Sequence, residues 1–412
     1  MSSKNMVYGT YQIYVGNYDW GCAVDKAIIT LERKIAVPDI SKLKVMERKM
    51  VTDESTPAFD IYEQISERTV TDLYLCNALG EKTDGPADHL VVELYVSPEE
   101  GTPLVCTSEC QIFIWSDPYE LLFDYSGEYD FDIEPVYTKK TTAADAFEKK
   151  SYTMDDGITY DYAVYTPEKK TDLLFVWLHG LGEGQMEGSD AYLPLLGRRG
   201  CTMAGEKFQS MVGGAHVLVP QCPTYWMDAD GKRTNFNQAA IQADGTSYYT
   251  ESLDRFIDLY AEKVGAKQVV LAGCSNGGYM TLMLAMNRPD KYTAAIPICE
   301  SVPDRTISDE SIKRLVDVPL YFVYSKDDPI VVPELHAVPT IERLKAAGCK
   351  DLHVSVTDHV IDTSGRYQDE DGNPYQYMGH LSWIYYDNDE TDDGTGLSAW
   401  EWIADKVNQN KR

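Results

Sequence analysis

Hydrophobic and polar positions alternate along the first third of the chain and run in blocks along the rest. Between Val7 and about Tyr137 the apolar stretches are short and follow a two-residue period. The segments TVTDLYLCNALG (69–80), HLVVELYVS (89–97) and CQIFIWSD (110–117) are rich in β-branched and aromatic residues, with turn residues between them. This pattern predicts an all-β sandwich. The polar stretch Pro38–Lys49 breaks the pattern and is expected as an exposed helix or loop. A second polar stretch, Thr138–Lys150, is short of aromatics, and the domain boundary is placed there. The expected domains are 1–145 and 146–412, as the length of 412 residues itself suggests, being long for one core.

Beyond the boundary, strand and helix patterns take turns. ITYDYAVYTP (158–167), LLFVWLHG (173–180), HVLVP (216–220), QVVLAG (268–273), AAIPIC (294–299), LYFVYS (320–325) and LHVSVT (352–357) read as strands. SLDRFIDLYAEKVG (252–265) places Leu253, Phe256, Ile257, Tyr260 and Val264 on one helical face, and Gly265 ends it. LSAWEWIADKV (397–407) reads as a closing amphipathic helix. Strands that are solid apolar runs, separated by helices, predict a mostly parallel sheet covered on both faces, an α/β domain.

The net charge of -29 lacks the basic footprint of a nucleic-acid binder. No apolar run reaches membrane-spanning length, and MSSKNMVYGT carries no leader-like apolar core. A cytoplasmic protein, or a secreted one whose leader is absent from this sequence, is expected. The acidic run Asp387–Asp393 reads as a solvated loop, since it lacks the regular alternation of a calcium loop. Nine cysteines without a CxxC pair read as buried reduced thiols, as at Cys274 and Cys299 in apolar runs, which leans toward a reducing compartment. A single bridge from Cys106 to Cys110 is the alternative.

Gly273-Cys274-Ser275-Asn276-Gly277 matches G-x-S-x-G, with a strand before it and a helical pattern, GYMTLMLAMN, after it. That context makes Ser275 a candidate nucleophile presented on a sharp strand-to-helix turn. A serine nucleophile needs a base and an acid that orients it, expected in the order Ser, acid, His. Four histidines follow Ser275. His353 lies inside a strand and His336 at the Pro-rich entry to a helix. His359 and His380 both follow the last strand, and His380, after a glycine and near Trp383, is the better placed. The acid is expected after LYFVYS, where Asp327 and Asp328 compete; Asp328, next to Pro329, is favoured. The oxyanion needs two main-chain N–H donors. Asn276 supplies one, and Leu181 in the His179-Gly180-Leu181-Gly182 loop supplies the other. Gln221, Trp226 and Tyr279, near the same sheet edge, are candidates to line a substrate pocket. This chemistry requires no metal and no organic cofactor.

These residues together resemble the α/β-hydrolase superfamily. More closely, the chain is similar to bacterial esterases described as predicted peptidases, akin to polyhydroxyalkanoate depolymerases and prolyl-oligopeptidase-type hydrolases. The resemblance is carried by LHGLGEG, VPQCPTYWM, GCSNGGYMTLMLA, AAIPICES, YSKDDPIV and GHLSWIYYDN, spanning about Leu178 to Asn388. It implies an N-terminal immunoglobulin-like domain and hydrolysis of a small or polymer-linked carboxylic ester through an acyl-enzyme. It also implies Ser275, Asp328 and His380 as the triad, with Leu181 and Asn276 as oxyanion donors. The polar insertion Asp362–Met378 departs from that group. A polyester or feruloyl or acetyl-sugar substrate, a peptidase of the same fold, and a binding protein that keeps only the fold are the competing readings.

Overall fold

The computed structural model describes residues 5–53, 55, 60–106, 112–185, 188–237 and 240–409. In β1 (Asn5–Tyr18), Val7, Tyr11, Ile13 and Val15 face inward while their neighbours face out, the two-residue period expected of a half-buried strand. It is followed by β2 (Gly21–Ile35), β3 (Leu43–Asp53), β4 (Asp60–Arg68), β5 (Val70–Cys76), β6 (Ala87–Leu94), β7 (Leu104–Cys106), β8 (Phe113–Trp115), β9 (Tyr119–Tyr125), β10 (Tyr129–Ile133) and β11 (Lys139–Thr142). One sheet has the order β10-β1-β2-β6-β5, with β11 also on β1; the other has the order β4-β3-β9, and β7 and β8 form a ribbon. The two sheets meet through Tyr11, whose ring lies 5.2 Å from Phe123 and whose hydroxyl accepts from the Leu121 N–H at 2.8 Å.

The stretch Pro38–Lys49 is mostly strand and not the exposed helix or loop its polarity suggests. After a short turn at Ile40–Lys42, Leu43, Val45 and Glu47 of β3 face inward. Glu47 is buried but neutralised, by Arg68 at 2.8 Å and Lys49 at 2.9 Å. An inward charge whose partner Arg68 comes from the neighbouring strand β4 is invisible in a local hydropathy pattern.

The chain divides into two compact units, Met1–Glu109 with Phe113–Asp145 and Cys110–Ile112 with Ala146–Arg412. The polar stretch 138–150 is built into both: β11 extends the first unit's sheet and β12 (Glu148–Thr153) opens that of the second.

In the second unit β13 (Thr159–Tyr165), β14 (Leu173–Leu178) and β15 (His216–Gln221) precede a small hairpin, β16 (Phe236–Asn237) and β17 (Ala240–Ile241). Then come β18 (Gln268–Cys274), β19 (Ala294–Ile298), β20 (Leu320–Ser325) and β21 (Leu352–Thr357), with a final ribbon of β22 (Val360–Ile361) and β23 (Gln376–Tyr377). The main sheet has the order β12-β13-β15-β14-β18-β19-β20-β21. β12, β13 and β15 run antiparallel to their neighbours in turn, and the pairs from β15–β14 to β20–β21 are parallel. Every residue of β14, β18 and β19 is buried, as strands covered on both faces must be.

The helix Thr250–Val264 buries Leu253, Phe256, Ile257 and Tyr260 and stops at Gly265, whose φ of 72° forms a left-handed cap. The parallel strands deliver their C-terminal ends to one edge of the sheet, which is where such folds build sites. No helix among the described residues is long and apolar enough to cross a membrane.

Two other expectations meet the structure here. The acidic run 387–393 is solvated only in part, with Glu390 and Asp392 exposed. Asp387 is buried, Asp389 pairs with Lys207 at 2.8 Å, and Asp393 pairs with His353 at 2.7 Å. Its charges serve contacts with distant segments, which a charge count cannot reveal. Cys76, Cys222, Cys274 and Cys299 are buried thiols. The alternative Cys106–Cys110 bridge involves Cys110, which lies outside the described residues.

Candidate active site

Ser275 stands between β18 and the helix Asn276–Asn287 with φ 56° and ψ -116°, a conformation that L-residues adopt only under strain. The surrounding glycines explain how the chain reaches it. A Cβ on Gly277 would collide with the Leu178 carbonyl, and one on Gly273 would lie 2.6 Å from the Gly277 carbonyl oxygen. Only the absence of side chains lets the helix start against the strand end. The elbow is held by the Ser275 N–H donating to Ile298 O at 2.9 Å and by the Ser301 hydroxyl donating to Ser275 O at 3.1 Å. From Gln268 to Leu282 every residue is buried except Ser275. The turn therefore leaves one residue half-buried among buried neighbours.

His380 lies on a short turn, Gly379–Leu381, with Nε2 3.0 Å from Ser275 Oγ and Nδ1 2.8 Å from Asp328 Oδ2. A carboxylate only accepts, so Nδ1 carries the proton and Nε2 is left to accept from the serine hydroxyl. The other oxygen of Asp328 accepts from the N–H groups of Ile330 and Val331, both at 2.9 Å, which fixes the carboxylate plane.

The two residues that competed for these places pair with each other. Asp327 Oδ2 is 2.8 Å from His359 Nδ1, and its Oδ1 accepts from Ser325 Oγ at 2.5 Å. Its main chain presses on Gly379, where an added Cβ would lie 2.7 Å from the Asp327 carbonyl. Adjacent aspartates thus face opposite ways, one toward Ser275 and one toward the ribbon of β22 and β23. That ribbon ends the 362–378 insertion just before His380, and Gln376 Nε2 approaches Asp327 at 3.4 Å.

Leu181 and Asn276 are the first residues of helical turns, Leu181–Glu183 and Asn276–Asn287, where main-chain N–H groups have no intrahelical acceptor. The loop before Leu181 is tied down by His179. Its Nε2 accepts from the Cys222 N–H at 2.9 Å and its Nδ1 donates to Gly180 O at 2.6 Å. Complete burial pushes the His179 pKa down to about 4, so the ring is neutral, as that pair of bonds requires.

Gln221, Trp226 and Tyr279 do not line a pocket. All three are fully buried. Gln221 Nε2 donates to Glu183 O, Gly184 O and Ser189 Oγ, holding the loop after Leu181. Trp226 packs against His179, with ring centroids 5.2 Å apart, and the Tyr279 hydroxyl donates to Thr246 O at 2.8 Å. Sequence position brings them to the correct edge, but the direction each side chain takes turns it inward.

Sequence reasoning missed several buried charges behind the elbow. Glu300, two residues past β19, is fully buried, and its Oε2 accepts from the Val302 N–H at 2.7 Å. Burial pushes its carboxyl up to about 8 from an ordinary 4.5. A raised folded-state pKa means stability that is intact below about pH 4.5 and is lost as the pH rises through 8. The loss reaches about 3 kcal/mol by pH 7. Glu300→Gln should therefore melt above the parent at pH 7 to 9, with the advantage vanishing near pH 4. Melting temperatures across that range test this, and an advantage that grew on acidification would refute it. Glu183 is also buried, within the glycine-rich loop itself, and its one sequence signal was a charge in an otherwise uncharged motif.

Comparison with curated proteins gives no match. Among solved structures, a thermostable esterase superposes with a TM-score of 0.69 at 20% identity, covering 96% of this chain and 98% of that one. At that identity the likeness is one of fold, and it extends over both units. A ferulic acid esterase aligns at TM-score 0.38 and 14% identity over 52% of this chain and 90% of that one. A carboxyl esterase from Bacillus coagulans aligns at 0.36 and 12% over the same shares. The phospholipase/carboxylesterase family model matches residues 160–365, half of the chain, including β14, the elbow and the Asp328 loop. With its α/β-hydrolase sheet and this match, the chain belongs to the phospholipase/carboxylesterase family and is a carboxylic ester hydrolase.

Proposed function

We propose that the protein hydrolyses carboxylic esters through an acyl-enzyme formed on Ser275. The observation that carries this is the relay Ser275 Oγ–His380 Nε2–Asp328 at 3.0 and 2.8 Å, with its serine the one partly exposed residue of an otherwise buried, strained elbow. In this reading His380 accepts the hydroxyl proton as Ser275 attacks the ester carbonyl. Asp328 keeps Nδ1 protonated and faces the imidazolium that forms. The N–H groups of Leu181 and Asn276 receive the oxyanion. His380 then hands the proton to the departing alcohol. Water, activated by the same imidazole, attacks the acyl-serine and releases the acid, returning the proton to Ser275.

A panel of nitrophenyl esters of rising acyl length, with feruloyl and acetyl-sugar esters and a peptide anilide, tests this reading. Ester turnover is expected, with a burst of nitrophenol approaching the enzyme concentration on esters whose deacylation is slower than acylation. Faster cleavage of the anilide than of every ester would assign the site to peptides.

A further inference from the structure

Behind the Leu181 turn lies a pair of charges, one buried and one partly buried, that the proposed mechanism does not use. Glu183 is fully buried, and its carboxylate folds back toward Gly180, where an added Cβ would lie 3.1 Å from Oε2. Its counter-ion is Arg198, with Nε 3.4 Å from Oε1. The approach is close because Gly197 has no side chain: a Cβ there would stand 3.1 Å from Glu183 Oε1. On its other side the Arg198 guanidinium lies over the indole of Trp383, 5.0 Å from the ring centroid. The Trp383 ring in turn meets the His380 imidazole edge to face, at 5.4 Å and 87°. One side chain therefore touches both the loop that carries Leu181 and the aromatic that packs against His380.

We propose that Arg198 is a positioning residue for ester hydrolysis, coupling the Leu181 loop to the His380 loop through Glu183 on one side and Trp383 on the other. The inference rests on the triad reading above. Its physical basis is that the guanidinium is planar and permanently charged. It can stack on an indole while neutralising a carboxylate, which a lysine ammonium cannot do in one pose. Burial pushes the Glu183 carboxyl up, and Arg198 opposes this. The Cys274 thiol, adjacent to the nucleophile, also lies within the field of Glu183, Arg198 and Asp387.

Steady-state kinetics on nitrophenyl acetate with Arg198→Met, Arg198→Lys and the double variant Arg198→Met with Glu183→Gln provide the test. Arg198→Met should lower kcat roughly ten- to a hundredfold, the scale of a misplacement of about an ångström at the reacting groups, and leave KM within about twofold. Arg198→Lys, which keeps the charge but not the planar stack on Trp383, should restore part of kcat but not all of it. Should Arg198→Met fail to fold because a buried carboxylate has lost its partner, the double variant removes the pair together and is expected to fold. The double variant should show the same fall in kcat. A parental kcat, in the single variant or in the double, would overturn the proposal. If Ser275→Ala is inactive in the same assay, that result removes the Arg198 inference alone; an active Ser275→Ala would instead remove the triad reading beneath it.

Discussion

Ser275→Ala should fold and melt like the parent yet lose turnover on the order of 10⁶-fold, the size of loss seen when a serine nucleophile is removed from a working triad. The melting temperature should hold because alanine keeps the Cβ that the elbow already accommodates. The backbone at φ 56° is equally strained with either residue, and the bonds that hold it use main-chain atoms of residue 275. Turnover should fall because no other described hydroxyl accompanies His380 Nε2 as Ser275 Oγ does at 3.0 Å. Labelling by a fluorophosphonate, which captures an activated serine, should vanish with it. Undiminished labelling of the alanine variant would show that another residue is the nucleophile.

The second large effect separates two neighbours. Asp328→Asn should lower kcat by roughly three orders of magnitude or more, as loss of the orienting acid does in other triads. An asparagine there presents either an amide that cannot accept from Nδ1–H or a weaker neutral oxygen. The imidazole is then free to place a hydrogen on Nε2, where Ser275 needs an acceptor. Asp327→Asn should cost less than about tenfold, because its carboxylate faces His359 and Ser325 and acts on His380 only by holding the ribbon that precedes it. Both variants measured on one nitrophenyl ester decide the matter, and the reverse ranking would move the role to Asp327.

How much of this was legible before the structure follows from what each residue must do. The elbow and the Leu181 loop are readable because glycine is the sole residue that permits such close approaches, and glycines show in a sequence. Asp328 and His380 are readable as positions on loops after identified strands, although the choice over Asp327 and His359 rests on orientation. Orientation is also what misled the reading of Gln221, Trp226 and Tyr279: a place at the sheet edge does not say whether a side chain turns toward solvent or into the core. Charges paired across the fold were the least visible. Glu47 with Arg68, Glu183 with Arg198 and Asp393 with His353 each join segments far apart in the chain. Polarity read locally therefore predicts exposure where the fold supplies a partner. The same blind spot turned β3 into a loop and the acidic run into wholly solvated chain.

The strand that opens the catalytic sheet has a consequence for how molecules of this protein meet one another. A sheet edge offers a row of unpaired peptide groups on which another chain could stack and extend indefinitely. Here that edge is β12, whose Glu148, Lys149 and Ser151 to Thr153 are exposed. Lys149 is further tethered to Asp190 at 2.9 Å and lies over the Tyr192 ring. An incoming strand would have to strip water from these charges and break that tether before gaining a hydrogen bond. The polarity of Glu148–Lys150 thus works against strand addition at this edge of the sheet.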